Sequence, residues 1–213
     1  MIDFKNFHIP MPSFEPTLDE KKWVIDNIWP NVEPAIDKIT SFERVDLNQT
    51  LFEKWTFTQK ILNHFTELDI KFHKFSIFLT ARNPQRTSPH IDATGDGNAR
   101  VSRFNIPISG INDVYIEWWD KDKNAPEVQV REFKEFRFGS LVDAIGFTTS
   151  KVTDPAVYRV DNPGPCWNRT EKLHRLGVEN IKEQRIVITA QLPNNYQISW
   201  DDLVCRLTKL GSL

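Results

Sequence analysis

Apolar and polar residues alternate along much of the chain after about residue 70, a pattern typical of half-buried strands. The clearest run is 184–192, which reads QRIVITAQL and is rich in β-branched residues. Seven more segments have the same short, apolar character: 72–81, 100–109, 114–119, 127–138, 141–147, 156–160 and 173–178. Turn residues separate these segments, and short strands broken by turns predict a sandwich or a barrel.

The first 70 residues predict helices instead. Thr17 and Glu20 have the spacing of a capping box, and apolar residues follow at helical intervals. A second capping box at Thr50 and Glu53 predicts a helix that reaches about Leu68. The apolar positions that mark these helices are Leu18, Trp23, Val24, Ile28 and Trp29 in the first, and Leu51, Trp55, Leu62 and Phe65 in the second.

Helices followed by strands predict an α+β domain that is mainly β, with the helices bracing one face of an antiparallel core. The expected regions of this single domain, 1–213, are a helical region 1–70 with a short helix at 32–39, a β core 71–193 and a C-terminal tail 194–213. The loop-rich stretch 147–173 interrupts the strand pattern and predicts an insertion or a lid.

Composition narrows the class of function. Lys and Arg number 27 and Asp and Glu number 29, so the net charge of -2 favours no nucleic-acid partner. No apolar run approaches the roughly 20 residues that span a bilayer, and the N-terminus lacks the pattern of a secretory signal. Cys166 and Cys205 have neither zinc-site nor redox spacing, and free thiols in a reducing cytoplasm are expected. We therefore expect a cytoplasmic protein without a membrane partner, and the oligomeric state stays open.

Histidine is scarce, with five in the chain, so its placement is informative. His90 and Asp92 are two residues apart, and on a strand such residues point to the same side. A neutral imidazole and a carboxylate placed in this way can bind one metal ion, although a surface turn gives the same pattern. His8, His64 and His73 have no carboxylate at ligand spacing and are interpreted as structural or surface residues.

His174, on or beside a late strand, is the candidate third ligand. Two histidines and one carboxylate suit one face of non-haem Fe(II) and leave positions for a co-substrate and O₂. Arg185 heads one face of the strand 184–192, with Val187 and Thr189 behind it. A buried guanidinium needs an anionic partner and matches a carboxylate bidentately. We infer a small dicarboxylate held by Arg185 at one end and by the metal at the other.

The order His90-x-Asp92, then His174, then Arg185 resembles that of the 2-oxoglutarate- and Fe(II)-dependent dioxygenases. The nearest branches are the aspartyl/asparaginyl β-hydroxylase-like proteins and the prolyl hydroxylases. The segments that carry the resemblance are 78–90, 103–107, 138–143 and 174–185.

The resemblance implies a double-stranded β-helix, the jelly roll of cupin-like proteins. It implies that His90, Asp92 and His174 hold Fe(II) and that Arg185 binds the distal carboxylate of 2-oxoglutarate. Further contacts to the co-substrate are implied for Arg103, Asn105 and Thr80. The implied reaction is the hydroxylation of a small-molecule or peptidyl, amino-acid-like substrate, with release of succinate and CO₂.

Several departures leave the substrate open. Asn105 stands where the hydroxylase branch has histidine, and the best-known members of the branch lack the carboxylate that Asp92 provides. Arg100 competes with Arg103 as the cation next to the co-substrate. One alternative is a non-catalytic, cupin-like metal-binding or structural protein. Another is a metal-dependent isomerase or hydrolase, which would have no use for Arg185.

Overall fold

Two antiparallel sheets dominate the computed structural model. It describes residues 4–32, 42–46, 48–80, 88–93, 97–110, 112–137, 140–149, 152–178, 183–193 and 198–209, with the backbone alone at 42–44, 133–137 and 140–144. The helices in these ranges are α1 (Leu18–Asn27), α2 (Gln49–Glu53), α3 (Thr56–Glu67) and α4 (Trp200–Lys209), with single 3₁₀ turns at Phe4–Asn6, Pro12–Phe14 and Trp29–Asn31.

The described strands form two six-stranded sheets. They are β1 (His8–Pro10), β2 (Phe42–Asp46), β3 (Lys74–Thr80), β4 (His90–Ile91), β5 (Ser102–Ser109), β6 (Val114–Trp118), β7 (Gln129–Arg137), β8 (Ser140–Thr148), β9 (Tyr158–Asp161), β10 (Cys166–Arg169), β11 (His174–Val178) and β12 (Ile186–Gln191). Sheet I has the order β1-β10-β5-β12-β3-β2, and sheet II has the order β7-β8-β4-β11-β6-β9. All eight strand segments predicted from the alternation contain a strand, so the expectation of a mainly β fold is confirmed.

The first helix begins as its sequence predicts. The Thr17 hydroxyl accepts from the Glu20 N–H at 3.2 Å, and the Glu20 carboxylate accepts from the Thr17 N–H at 2.7 Å.

The second predicted capping box, at Thr50 and Glu53, is wrong. Asn48 caps α2 instead, with its Oδ1 accepting from the Thr50 N–H at 3.1 Å, because a short amide side chain serves this position well. The expected continuous helix divides into α2 and α3, with a break at Lys54 and Trp55.

Three of the expected regions of the domain contain other elements as well. The helical region 1–70 also supplies β1 and β2 to sheet I. The stretch 147–173 supplies β9 to the edge of sheet II and β10 to sheet I, between β1 and β5, so these strands belong to the sheets and not to a lid. The tail 194–213 contains α4, which buries Trp200, Leu203 and Leu207. The helix expected at 32–39 lies outside the described residues, apart from Val32.

The main apolar core lies between one face of sheet I and the helices, as the predicted bracing of the β core requires. The helices contribute large buried side chains, among them Phe52, Trp55 and Phe65. The sheet contributes every second residue of its central strands: Phe75, Ile77, Leu79, Phe104, Ile106, Ile108, Ile186, Ile188 and Ala190. Because side chains alternate along a strand, the residues between these must face sheet II.

The face of sheet I that looks toward sheet II is polar. We call it the inner face. One row of directly opposed residues crosses it from His8 through Asn168 and Arg103 to Gln191, and a second row runs from Cys166 through Asn105 and Thr189 to Ser76. Arg103 bonds to Asp92, which follows β4 of sheet II, so this face does meet the other sheet. A buried polar surface between two sheets is costly unless something satisfies it.

The described helices include none that is both long and apolar enough to cross a membrane. Cys166 is buried, Cys205 is exposed, and both are free thiols, as expected.

Gly177 on β11 allows Tyr115 of β6 to lie directly across it, on the face of sheet II away from sheet I. A Cβ atom at this position would overlap the Tyr115 ring, which is itself buried. Gly177→Ala is therefore expected to lower the free energy of unfolding by about 1–3 kcal/mol. It should also weaken metal binding, since β11 carries His174. Thermal unfolding and a Co(II) titration measure the two effects.

The control is Gly164→Ala, because a Cβ at Gly164 would meet only the Glu15 carboxylate, at an ordinary 3.8 Å. Equal melting temperatures for the two variants would contradict the packing assigned to Tyr115.

Candidate metal centre

Three of the predicted site residues meet at one point between the strands. His90, Asp92 and His174 each offer a ligand atom, and these atoms lie within 4.8 Å of one another. His90 is half-exposed, Asp92 is half-buried and His174 is buried. Two imidazoles and a carboxylate in this arrangement can occupy one face of a divalent transition metal ion.

Strand pairing brings the two histidines together. β4 and β11 are antiparallel neighbours in sheet II, and His90 stands directly opposite His174. Their ring centroids are 4.5 Å apart. Asp92 is held just beyond β4 by its backbone: its N–H donates to the Thr170 carbonyl at 3.1 Å, and its carbonyl accepts from the Arg100 N–H at 2.8 Å. His90 and Asp92 therefore keep the same-side placement that their spacing predicts.

Both histidines have the tautomer that metal binding needs. Nδ1 of His90 lies 3.0 Å from the Ser88 carbonyl oxygen, and Nδ1 of His174 lies 2.9 Å from the Lys172 carbonyl oxygen. A carbonyl oxygen can only accept, so each Nδ1 carries the hydrogen and each Nε2 keeps a lone pair. Such bonds orient metal-binding imidazoles and raise their basicity.

The charges around the centre favour the metal-binding forms of its groups. Burial lowers the pKa of His174 to about 4, with a further contribution from His90, so its imidazole is neutral at pH 7. Burial alone would raise the pKa of Asp92, but charge interactions, the largest of them with the Arg103 guanidinium, outweigh it and hold this pKa well below its usual range. Asp92 is therefore an anion whose Oδ2 accepts from Arg103 Nε and whose Oδ1 is turned toward the histidines.

Arg103 thus contacts the carboxylate of Asp92, a candidate metal ligand, whereas the sequence predicted a contact to a co-substrate. Its guanidinium is buried, lies over the Phe78 ring at 5.1 Å and leaves Nη1 without a partner in the described part of the chain. The arginine can orient Asp92 and still donate to a ligand beside it.

Arg103→Met is expected to destabilise the metal-free protein by about 3–5 kcal/mol, since the variant leaves a buried carboxylate unpaired. The double variant Arg103→Met/Asp92→Asn should recover most of this loss. Stability should also depend on pH, because the pKa of Asp92 is lowered in the folded protein. The ionised carboxylate contributes fully to the free energy of unfolding above the usual carboxyl range, and this contribution is lost as pH falls through the lowered pKa. Arg103→Met should move that loss to higher pH.

Urea unfolding across a pH series measures both effects. Lys22→Met removes an exposed ion pair with Asp26, 2.7 Å long, and should change stability by less than about 1 kcal/mol. If Arg103→Met lowered the free energy of unfolding by no more than this control, the pairing of Arg103 with Asp92 would not be stabilising.

Arg185 lies further along the same inner face. It directly precedes β12, is buried, and is close enough to Cys166 for each to influence the pKa of the other. Burial lowers the pKa of Arg185 to about 10, which leaves it charged at pH 7. Among the described residues, no carboxylate pairs with its guanidinium. Arg185 and Arg103 are separated by about six residues of β12, or roughly 20 Å between Cα atoms.

Polar atoms without partners line the inner face between and beside the two arginines. In the described part of the chain, the buried atoms that lack a hydrogen-bond partner include Thr80 Oγ1, Asn105 Oδ1, Thr189 Oγ1, Asn168 Nδ2 and Arg103 Nη1. Thr80, Asn105 and Arg103 were predicted from the sequence, and Thr189 was placed on the Arg185 face. Since buried polar groups are normally bonded, these atoms have hydrogen-bonding capacity that water or a polar ligand can satisfy.

Sequence reasoning missed His8, Cys166 and Asn168 as inner-face residues. β1 and β10 are short, and β10 lies in the stretch interpreted as an insertion. The alternation of Cys166 and Asn168 around the apolar Trp167 was the available signal. His64 and His73 have the structural and surface positions that were expected. The His64 ring packs against the Phe14 ring, with 5.0 Å between their centroids, and His73 is exposed.

Trp118 and Trp119 lie on opposite faces of β6 and its extension, and each packs in its own apolar cluster, so neither forms an exposed rim that could serve as a substrate platform.

The Arg100 guanidinium donates to the Leu192 carbonyl at 3.4 Å, and its charge helps to lower the pKa of Asp92. Arg82 and Arg86 in the segment 78–90, and Asn180 in the segment 174–185, belong to the stretches that carry the family resemblance and lie outside the described residues.

No family model matches this chain, and no curated protein matches it significantly.

Proposed function

We propose that this chain is an Fe(II)- and 2-oxoglutarate-dependent dioxygenase that hydroxylates a small-molecule or peptidyl substrate. The observation that carries the proposal is the pairing of two features on facing sheets. His90, Asp92 and His174 form a facial ligand set, and a buried arginine without a carboxylate partner in the described chain, Arg185, lies further along the inner face.

The order of the strands supports a jelly roll. Eight of them, β3–β6 and β9–β12, alternate between the sheets except that β9 follows β6 within sheet II. The last two insert among the first four: β12 lies between β3 and β5, and β11 lies between β4 and β6. The remaining pair, β9 and β10, adds to β6 and β5. Two interlocked Greek keys of this kind define a jelly roll. In this interpretation, β7 and β8 are an insertion, and β1 and β2 extend sheet I.

The donor set fits Fe(II). Two imidazoles whose Nδ1 atoms are bonded to carbonyl oxygens and one carboxylate are the ligands of non-haem iron oxygenases, and the ligand group among the described residues contains no cysteine of the kind that closed zinc sites use. His90, Asp92 and His174 would hold the ion, and the remaining positions would be open to a chelating co-substrate. Arg103 would fix the carboxylate so that only one of its oxygens turns to the metal.

The inner face fits a dicarboxylate. Arg185 supplies a fork of donors for one carboxylate, in a buried place where such a pair is strong. Thr80 and Thr189 have unpartnered hydroxyls on the same face, and a hydroxyl can donate to the remaining oxygens of an anion. This requirement for an anion distinguishes the proposal from a metal-dependent isomerase or hydrolase.

Fe(II), 2-oxoglutarate and O₂ together supply an oxidative decarboxylation to succinate and CO₂ that is coupled to insertion of one oxygen atom into a substrate C–H bond. The chain's own residues bind and orient the reactants. The histidine tautomers are fixed before any ligand arrives, and sheet I with its helices excludes water from behind the inner face, which strengthens the charge interactions there.

Anaerobic titration tests the proposal. The full-length chain is loaded with Fe(II), 2-oxoglutarate is added, and a visible charge-transfer band is expected to grow to one equivalent. Admission of O₂ should then yield succinate. A folded, Fe(II)-loaded protein with no such band would contradict the co-substrate assignment and would favour the non-catalytic metal-binding alternative.

A further inference from the structure

We propose that His8 and Asn168 form the recognition site for an uncharged amide group of the substrate. The group is one that presents C=O and N–H on a single edge, as a primary carboxamide or a lactam does. The inference rests on the proposed function, because it takes the His90–Asp92–His174 group as the reaction centre.

The pair lies next to the metal centre. His8, Asn168 and Arg103 are directly opposed on three neighbouring strands of sheet I, and Arg103 bonds to Asp92. In sheet II, Trp118 is directly opposite His174, and the His8 ring lies 6.0 Å from the Trp118 ring. The backbone of Asn168 thus lies one inter-strand spacing, about 5 Å, from the backbone of Arg103. A ligand bound there would lie beside the ion.

His8 and Asn168 are bonded to each other in a way that leaves one donor and one acceptor. Asn168 Oδ1 lies 3.0 Å from His8 Nδ1 and 3.7 Å from the Cys166 sulfur. Burial raises the pKa of the Cys166 thiol to about 12, so the thiol keeps its hydrogen and donates. Burial also lowers the pKa of His8, so its ring is neutral and its single hydrogen is on Nδ1.

Two polar atoms of the pair then remain without a partner among the described residues. Asn168 Nδ2 has no acceptor in the described part of the chain, although the residue is only 3% exposed. His8 Nε2 keeps a lone pair, and no described residue donates to it. Unmatched buried groups carry a desolvation cost that a ligand can remove. A carbonyl oxygen suits Asn168 Nδ2, and an N–H suits His8 Nε2.

A carboxylate suits the pair less well. It could accept from Asn168 Nδ2 and from Arg103 Nη1, but it has no hydrogen for His8 Nε2, and the charge of Arg103 is already balanced by Asp92. The facing wall of sheet II is apolar. It consists of Ile116, Trp118, Tyr158, Val160 and Leu176, which share one cluster. An uncharged ligand group matches both surfaces.

Nitrogen NMR of the histidine rings tests the site on the full-length chain loaded with Zn(II) and 2-oxoglutarate. His8→Gln assigns the His8 signals. The free protein should show His8 as the neutral Nδ1–H tautomer. Acetamide and 2-pyrrolidinone, added up to their solubility limits, should shift the His8 Nε2 signal, and acetate should not. The two amides distinguish a carboxamide from a lactam.

Asn168→Asp exchanges the donor for an acceptor and should weaken amide binding about tenfold, as loss of one buried hydrogen bond predicts. Asn124→Asp makes the same charge change at an exposed position and should leave the titration unchanged. An equal response to acetate and acetamide, or no response to either amide, would overturn the inference, leaving the pair with a bound water at most. The proposed function fails separately, through loss of Zn(II) or 2-oxoglutarate binding while the amide shifts persist.

Discussion

His174→Ala is expected to abolish succinate formation and to lower the affinity for a divalent metal by at least about 100-fold, because groups that merely support a ligand already contribute about 10- to 100-fold. The imidazole is buried, its Nδ1 hydrogen is committed to the Lys172 carbonyl, and no other described side chain stands in its place. His90→Ala should have a similar effect. Co(II) titration, followed by its visible absorption, measures the affinity without depending on turnover.

His73→Ala is the matched control, since His73 is exposed and is not one of the residues of the ligand group. Both variants should unfold cooperatively in the absence of metal. If His174→Ala retained the Co(II) spectrum and affinity of the unaltered chain, the ligand set proposed for the ion would be incorrect.

Arg185→Met is expected to change function and stability in opposite directions. Loss of a buried ion pair with the co-substrate costs about 2–5 kcal/mol, so the concentration of 2-oxoglutarate required should rise roughly 30-fold or more. Metal affinity should hardly change, because Arg185 does not contact the ligand group. The ligand-free protein should become more stable by about 1 kcal/mol or more, since burial disfavours the charged guanidinium and the described chain offers it no carboxylate.

Thermal shifts separate these effects. The unaltered chain should be stabilised by 2-oxoglutarate, since a ligand that binds only the folded state raises its stability, and Arg185→Met should lose this response. Arg131→Met makes the same substitution at an exposed site on β7 and should keep it. A destabilised, ligand-free Arg185→Met protein would indicate that a partner within the chain, and not a co-substrate, balances the charge.

Local pattern was sufficient for much of this fold. The alternation in 184–192 predicts both β12 and the face that Arg185, Val187 and Thr189 share, because side-chain direction in a strand depends only on residue parity. The capping box at Thr17 and Glu20 is similarly local, since both bonds form within one turn. The same reasoning failed at Thr50, where a competing cap two residues earlier was available.

Short strands were harder to predict. The strands β1, β4 and β10 have two to four residues each. An alternation of apolar and polar residues this short cannot be distinguished from a loop. Their pairing is set by the partners that the rest of the sheet provides. As a result His8 and Asn168, which face each other across β1 and β10, were assigned no role beside the metal ligands.

The sequence by itself determined the main strands, the first helix and the identity of the candidate ligands, because strand alternation, helix capping and ligand chemistry are properties of neighbouring residues. Only the tertiary structure decided that His90 stands opposite His174, that Arg103 bonds to Asp92, and that polar side chains from five strands of sheet I share one buried face. Those facts depend on which strands pair and in which register. Pairing between residues more than 80 positions apart is set by how the whole chain buries its apolar faces, and no short segment records it.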